Sequence, residues 1–368
     1  MKRTHLCAVV GLILGLVSAE LAAQDDTAPA RPRDIVRTAD RKILPNVTVI
    51  SETPTEVMLD TTGDGKADKT LDQNEVKDIQ YDQAPNEYVQ AVALYRVSNY
   101  DKAIEMFNQA TAKGGRRWIK DYSAYYAAMC QARKAEADPT LAPVAVRAFE
   151  ELLKNPNNRW RDDARYELGQ IQLARGDRAA AKTTFETLTA SAHREEMKLT
   201  ASVGLAALLM AENKPAEALQ RYNTVVQGAE KKFPELYLTA TVGKAQAHTA
   251  LGEYTSAEEF LKKILDSEED RTLRAKAHLA LGDCYYVQAT AQEAKDPKDA
   301  PAVFKEALNQ YLWVIVVYSD EKAEYAKSLY YAGECWKKLD EPLKARELHN
   351  ELRSKFGTTK WAGMVRGG

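Results

Sequence analysis

Arg161 to Leu188 reads RDDARYELGQIQLARGDRAAAKTTFETL, and this stretch decides how the chain folds. Two segments of helical periodicity meet at Gly176-Asp177; Gly169 sits within the first, and a run of alanines opens the second. Gly169 precedes Ala181 by twelve residues, and Ala181 precedes Phe185 by four. Near the C-terminus, inside YYAGECWKKLDEPLKARELHNEL, Gly333 is followed twelve residues later by Ala345. A small residue on each of two short antiparallel helices lets their backbones touch. One such pair cannot bury its apolar face alone, so repetition of the unit predicts a solenoid.

The same unit runs through seven segments, five of them with the twelve-residue step. The first (86–114) has Ala91, Ala103, Phe107 and Ala110, and the second (118–157) has Ala128, Ala145, Phe149 and Leu152. In the second, about five extra residues around Ala137-Asp138-Pro139 are expected to lengthen the inter-helix loop. The opening stretch is the third (161–193). Ala206, Ala218, Tyr222 and Val225 mark the fourth (196–231), and Ala245, Ala257, Leu261 and Ile264 the fifth (235–268). The sixth (271–319) separates Gly282 from Ala307 by 25 residues, which places an insertion of about thirteen near Ala289 to Val303. The seventh (322–357) returns to register. This spacing resembles the tetratricopeptide repeat. The resemblance implies a mainly α fold, a solenoid of about seven helical hairpins over 86–366, preceded by a small antiparallel β domain.

At the start, Lys2 and Arg3 precede an apolar run from Leu6 to Val17, too short to span a bilayer comfortably but suited to a signal peptide. Residues 1–23 therefore predict export, periplasmic or secreted, with cleavage after Ala19 or Ala23. Cys7 stands at the beginning of the apolar run rather than just after it, which argues against a lipid anchor. Residues 24–34, rich in Pro, Ala and charge, read as a flexible leader. Over 35–83 the period falls to two, as in NVTVIS and TEVMLD, which predicts a small antiparallel sheet or barrel. Within it, DTTGDGKAD (Asp60 to Asp68) has oxygen ligands at alternating positions, as calcium loops do. Leu71 holds the twelfth position, where such a loop needs a carboxylate, and a hairpin turn built on Asp-Gly is the simpler reading.

With 51 basic and 53 acidic residues, the chain has no charge excess to draw it to nucleic acid, and no second apolar run spans a membrane. Cys130, Cys284 and Cys335 each stand two residues after a small slot residue, which predicts buried thiols rather than disulfides or a metal site. His248 and His278 fall in first helices of adjacent repeats and read as structural. No zinc, nucleophile-elbow or phosphate-loop motif occurs, and the carboxylate clusters at repeat boundaries single out no acid-base pair. The expectation is a non-enzymatic chain with no cofactor.

The family resemblance implies a concave groove lined by first helices and holding a protein or peptide. Transferring its groove positions gives Tyr88, Tyr95, Arg96, Tyr125, Met129, Arg133, Tyr166 and Gln170. Toward the C-terminus it gives Asp283, Tyr286, Tyr330, Glu334, Lys337 and Lys338. Tyrosine where chaperone-tail binders carry a leading lysine argues against that subtype. The last two repeats, with VVYSDEKAEYAKSLYYAGECWKK and KFGTTKWA, look like bacterial envelope proteins that coordinate the Tol-Pal system or assist outer-membrane protein assembly. Together these features predict an interaction scaffold of the cell envelope. The alternative is a self-associating structural module, its groove filled by its own β domain or by another copy in a homo-oligomer.

Overall fold

The computed structural model describes residues 31–230, 232–267 and 269–366. The expected signal segment and most of the leader lie outside these residues. The sheet opens with β1 (Asp34–Thr38), so ordered structure begins inside the stretch read as a flexible leader. It continues through β2 (Ile43–Glu52), β3 (Glu56–Asp60), β4 (Lys69–Asp72) and, after a 3-10 turn at Gln73–Glu75, β5 (Val76–Gln80). The strands run antiparallel in the order β4-β3-β2-β1-β5. Alternation puts Val36, Val47, Val49, Val57, Leu59, Leu71 and Ile79 on one buried face. DTTGDGKAD is the β3–β4 hairpin loop. The Asp60 carboxylate accepts from Gly63 N (2.5 Å) and Gly65 N (2.9 Å), with the Arg31 guanidinium 3.3 Å away. Its oxygens are thereby committed to the turn.

Seven helical hairpins follow among the described residues. They pair α1 (Asn86–Arg96) with α2 (Tyr100–Lys113), α3 (Arg117–Ala137) with α4 (Ala142–Leu153), and α5 (Arg161–Ala174) with α6 (Arg178–Ser191). Next come α7 (Glu195–Ala211) with α8 (Pro215–Ala229) and α9 (Pro234–Ala250) with α10 (Tyr254–Ser267). The series ends with α11 (Arg271–Glu293) and α12 (Ala300–Val317), then α13 (Lys322–Lys338) and α14 (Pro342–Phe356), capped by α15 (Lys360–Arg366).

Five of the hairpins turn in one way. Ser98, Gly176, Asn213, Gly252 and Asp340 adopt positive φ, between 59° and 81°. In each, the next residue donates its N–H to a carbonyl five residues back at 2.9 Å, as Asp177 does to Gln172 and Glu341 to Trp336. This left-handed closure satisfies carbonyls that the helix end would otherwise strand. The second and sixth repeats turn instead through Asp138-Pro139 and Asp296-Pro297. There the extra residues mostly lengthen helices rather than loops. Helix α3 runs to Ala137 and α11 to Glu293, nine and eleven residues beyond Ala128 and Gly282. Helices α1, α5, α7, α9 and α13 each stop five residues beyond Ala91, Gly169, Ala206, Ala245 and Gly333.

Close packing explains the twelve-residue measure. A Cβ on Gly169 would stand 2.5 Å from the Phe185 ring, and one on Gly204 of the next repeat would meet the same ring at 2.5 Å. Tyr311 presses on Gly282 in the same manner. Slots Ala103, Ala145, Ala181, Ala218 and Ala257 are fully buried, and each large ring buried there contributes about 1.5 to 3 kcal/mol. Cys130, Cys284 and Cys335 are free and buried, and burial pushes the Cys130 thiol up to about 12. His248 binds Glu253, while His278 binds Gln310 and stacks on Trp313, so each histidine has its own partners.

Candidate functional site

The sheet meets the solenoid where three first helices begin. Asp34 on β1, wholly buried, accepts from Val49 N (2.8 Å), Asp82 N (2.9 Å) and both Nη atoms of Arg116, the residue before α3. Glu52, the last residue of β2, accepts from the Tyr81 hydroxyl (2.7 Å), the Tyr122 hydroxyl (2.9 Å), Gln73 Nε2 (3.1 Å) and Arg159 Nε (2.7 Å). Arg159 stands just before α5. At the start of α7, Asp72 bonds His193 (2.6 Å), and Glu195 N donates to Asn74 (3.0 Å). Carboxylates at helix starts also face the positive end of the helix dipole. Burial, then the Glu52 charge, pushes the Tyr81 and Tyr122 hydroxyls well above the usual range, so both remain neutral donors.

Beside this joint lies a cavity of about 280 Å³ lined by Ser51, Glu52, Tyr81, Arg116, Trp118 and Asp121 among others. Each guanidinium around it is matched by a carboxylate: Arg116 by Asp34, Arg159 by Glu52, and Arg117 by Asp121 at 3.6 Å. The cavity therefore presents no surplus of either charge. Burial raises the Asp121 carboxyl above its usual range.

The eight predicted groove residues separate into two groups. Tyr88, Tyr95, Tyr125 and Met129 are buried, with at most 8% exposure. Tyr88 lies edge-on to Trp118 (5.1 Å between centroids), and Tyr125 is stacked on Trp160 (4.4 Å). These rings pack against the neighbouring repeat. Arg96 is exposed, and Arg133, Tyr166 and Gln170 are half-buried. Gln170 Nε2 donates to the Tyr166 hydroxyl at 2.6 Å, and Arg133 pairs with Glu136. Of the C-terminal positions, Asp283 accepts from the Tyr311 hydroxyl (3.0 Å) and Lys327 (2.5 Å). Glu334 pairs with Lys337 (2.8 Å) and Lys338 with Glu293 (2.5 Å), while Tyr286 and Tyr330 are half-buried.

The same face carries charges that local spacing did not pick out. Glu167 on α5 interacts electrostatically with Arg133, Glu136 and Lys276, and Glu324 on α13 with Lys276 and Glu136. Burial raises both carboxyls above the usual range, opposed by Arg133 for Glu167 and by Lys276 for Glu324. These residues come from the second, third, sixth and seventh repeats. Only curvature brings them together, and no signal in any single repeat reveals it. Among the described residues, no helix is long and apolar enough to cross a membrane.

Comparison with known proteins agrees with this architecture. Two tetratricopeptide-repeat family models match, one over residues 166–232 and the other over 209–281. No curated protein matches the chain in sequence. Similar solved structures include PilW, a widely conserved type IV pilus biogenesis factor, at 18% identity and TM-score 0.40, covering 64% of this chain and 94% of PilW. A Rap protein complexed with Competence and Sporulation Factor matches at 13% identity and TM-score 0.49, covering 75% of this chain and 76% of its own. The C-terminal part of a repeat protein from Cytophaga hutchinsonii matches at 16% identity and TM-score 0.39, covering 74% and 96%. At such scores nothing specific to those proteins transfers, and the likeness of the last two repeats to Tol-Pal and assembly proteins gains no support from them. The repeat models, the twelve-residue slot pairs and the seven stacked hairpins agree: residues 166–281 carry tetratricopeptide repeats, within a solenoid of that architecture.

Proposed function

We propose that the chain is a non-enzymatic scaffold of the cell envelope that holds a peptide or protein segment against the concave face of its first helices. The observation that carries this reading is the set of polar and aromatic side chains on that face: Arg96, Arg133, Tyr166 and Gln170, together with Glu136, Glu167, Lys276 and Glu324. Arginine and tyrosine supply large contact areas with a polar end, and they dominate binding energy at interfaces. Mixed charge favours a ligand segment that is itself polar and mixed, rather than a polyanion. Tyr88, Tyr95, Tyr125 and Met129 support the face from behind.

The sheet makes its polar contacts at the starts of α3, α5 and α7, and the partners of Arg133 and Gln170 belong to the solenoid. That arrangement favours a groove open to an outside partner over one filled by the β domain. Selection of peptides from a displayed library tests the reading. Peptides enriched on the chain should be lost when Arg133 and Gln170 are both changed to alanine; equal enrichment on both proteins would move the site elsewhere. N-terminal sequencing of the protein from an envelope fraction tests export, with a start after Ala19 or Ala23 expected and an intact Met1 in the cytosol contradicting it.

A further inference from the structure

The five-residue overrun of first helices past their slot residue is broken in α3, which continues four residues further, through Lys134 to Ala137. The added turn is not idle. Helix α3 of the second repeat touches α13 of the seventh, while the other first-helix contacts of at least that size join consecutive repeats. Glu136 lies on the added turn, and Glu324 lies on the first turn of α13. The two interact, and Lys276 of α11 interacts with Glu324 and with Glu167. The seam therefore brings acidic groups from three repeats together, with Arg133 and Lys276 as the cations among them. Like charges at this range repel, and a carboxylate pair drawn together this way needs a counter-ion.

We infer that the added turn of α3 is a latch that closes the superhelix against α13, with Lys276 as the cation that holds it shut. In the closed state a partner reaches the concave face along the superhelix axis, and lateral entry requires the seam to part. The latch is a property of the chain alone, and it stands or falls independently of whether the groove binds peptide. It also accounts for the insertion in the second repeat. A merely longer loop would leave α3 at the common length, whereas the added residues are helical.

The experiment pairs Ala137→Cys with Ala323→Cys, beside the two carboxylates and leaving Glu136, Glu324 and Lys276 in place, and follows closure by a short bifunctional thiol reagent. Cys130, Cys284 and Cys335 are fully buried and stay out of the reaction. The pair should cross-link readily in the otherwise unchanged chain. With Lys276→Glu added it should cross-link several-fold more slowly, and scattering should show a larger radius of gyration at unchanged helix content. Lys276→Arg should restore both values. Lys276 is exposed, so its replacement leaves the core intact; should Lys276→Glu nevertheless fail to fold, Lys276→Gln carries the same test with a smaller expected change. Failure of the parent pair to cross-link would overturn the latch. So would a rate and radius that ignore the charge at residue 276.

Discussion

The third and seventh repeats use one frame with different plugs. In the third, Phe185 fills the space between Gly169 and Gly204 and is fully buried. In the seventh the equivalent position is His349, pressed against Gly333, 4% exposed, stacked on Tyr330 and bonded to the Tyr330 carbonyl at 3.2 Å. That bond assigns the imidazole the tautomer with Nε2 as donor. The frame asks for a flat ring of that size and does not dictate its chemistry. A benzene ring makes the junction indifferent to pH, whereas an imidazole ties it to protonation.

The largest expected effect strikes the plug itself. Phe185→Ala removes a ring shared by two repeats and should lower stability by about 3 to 5 kcal/mol, read as a fall in the urea midpoint. A loss below about 1 kcal/mol would mean that the repeats pack some other way. The third repeat also carries the sheet through Arg159, a duty with no counterpart in the seventh. Glu52→Ala strips that guanidinium and two tyrosine hydroxyls of their acceptor, at a cost of about 1.5 to 3 kcal/mol. Protease should then cut the sheet before the helices; unchanged protection would show that Glu52 does not hold the joint. The smallest effect is in pH. Burial, with Lys337 and Arg353 nearby, holds the His349 pKa below 6.5, while the bond to Tyr330 and Glu334 oppose the shift. The unfolded chain then binds the proton more readily, so stability is flat above about pH 6.5 and falls below it. His349→Phe should flatten that slope but not abolish it, because His278 is shifted in the same direction. An identical slope in the variant would remove His349 from the account.

The slot register was legible because it is local. Gly169, Ala181 and Phe185 are spaced by helix geometry alone, and strand alternation at Val47 and Val49 is equally short-range. The insertion in the second repeat is legible in the sequence as extra length, but not as helix. Its residues Lys134, Ala135, Glu136 and Ala137 are good helix formers, and they extend α3 instead. The burial of the inner tyrosines is not a local property. Tyr88 and Tyr125 occupy groove positions by count, but Trp118 and Trp160 at the helix starts cover them. Position within a repeat cannot report what the next repeat brings. Glu136, Lys276 and Glu324 are farther still from any local pattern, since only superhelical closure makes them neighbours.

The concave face as recognition surface is tested most directly by attaching a photo-reactive benzophenone to a selected peptide, irradiating the complex and locating the adduct by mass spectrometry. The account predicts adducts on α3, α5, α11 and α13, close to Arg133, Gln170 and Lys276. Adducts confined to the outward helices α6, α8 and α12, or to the sheet, would contradict it.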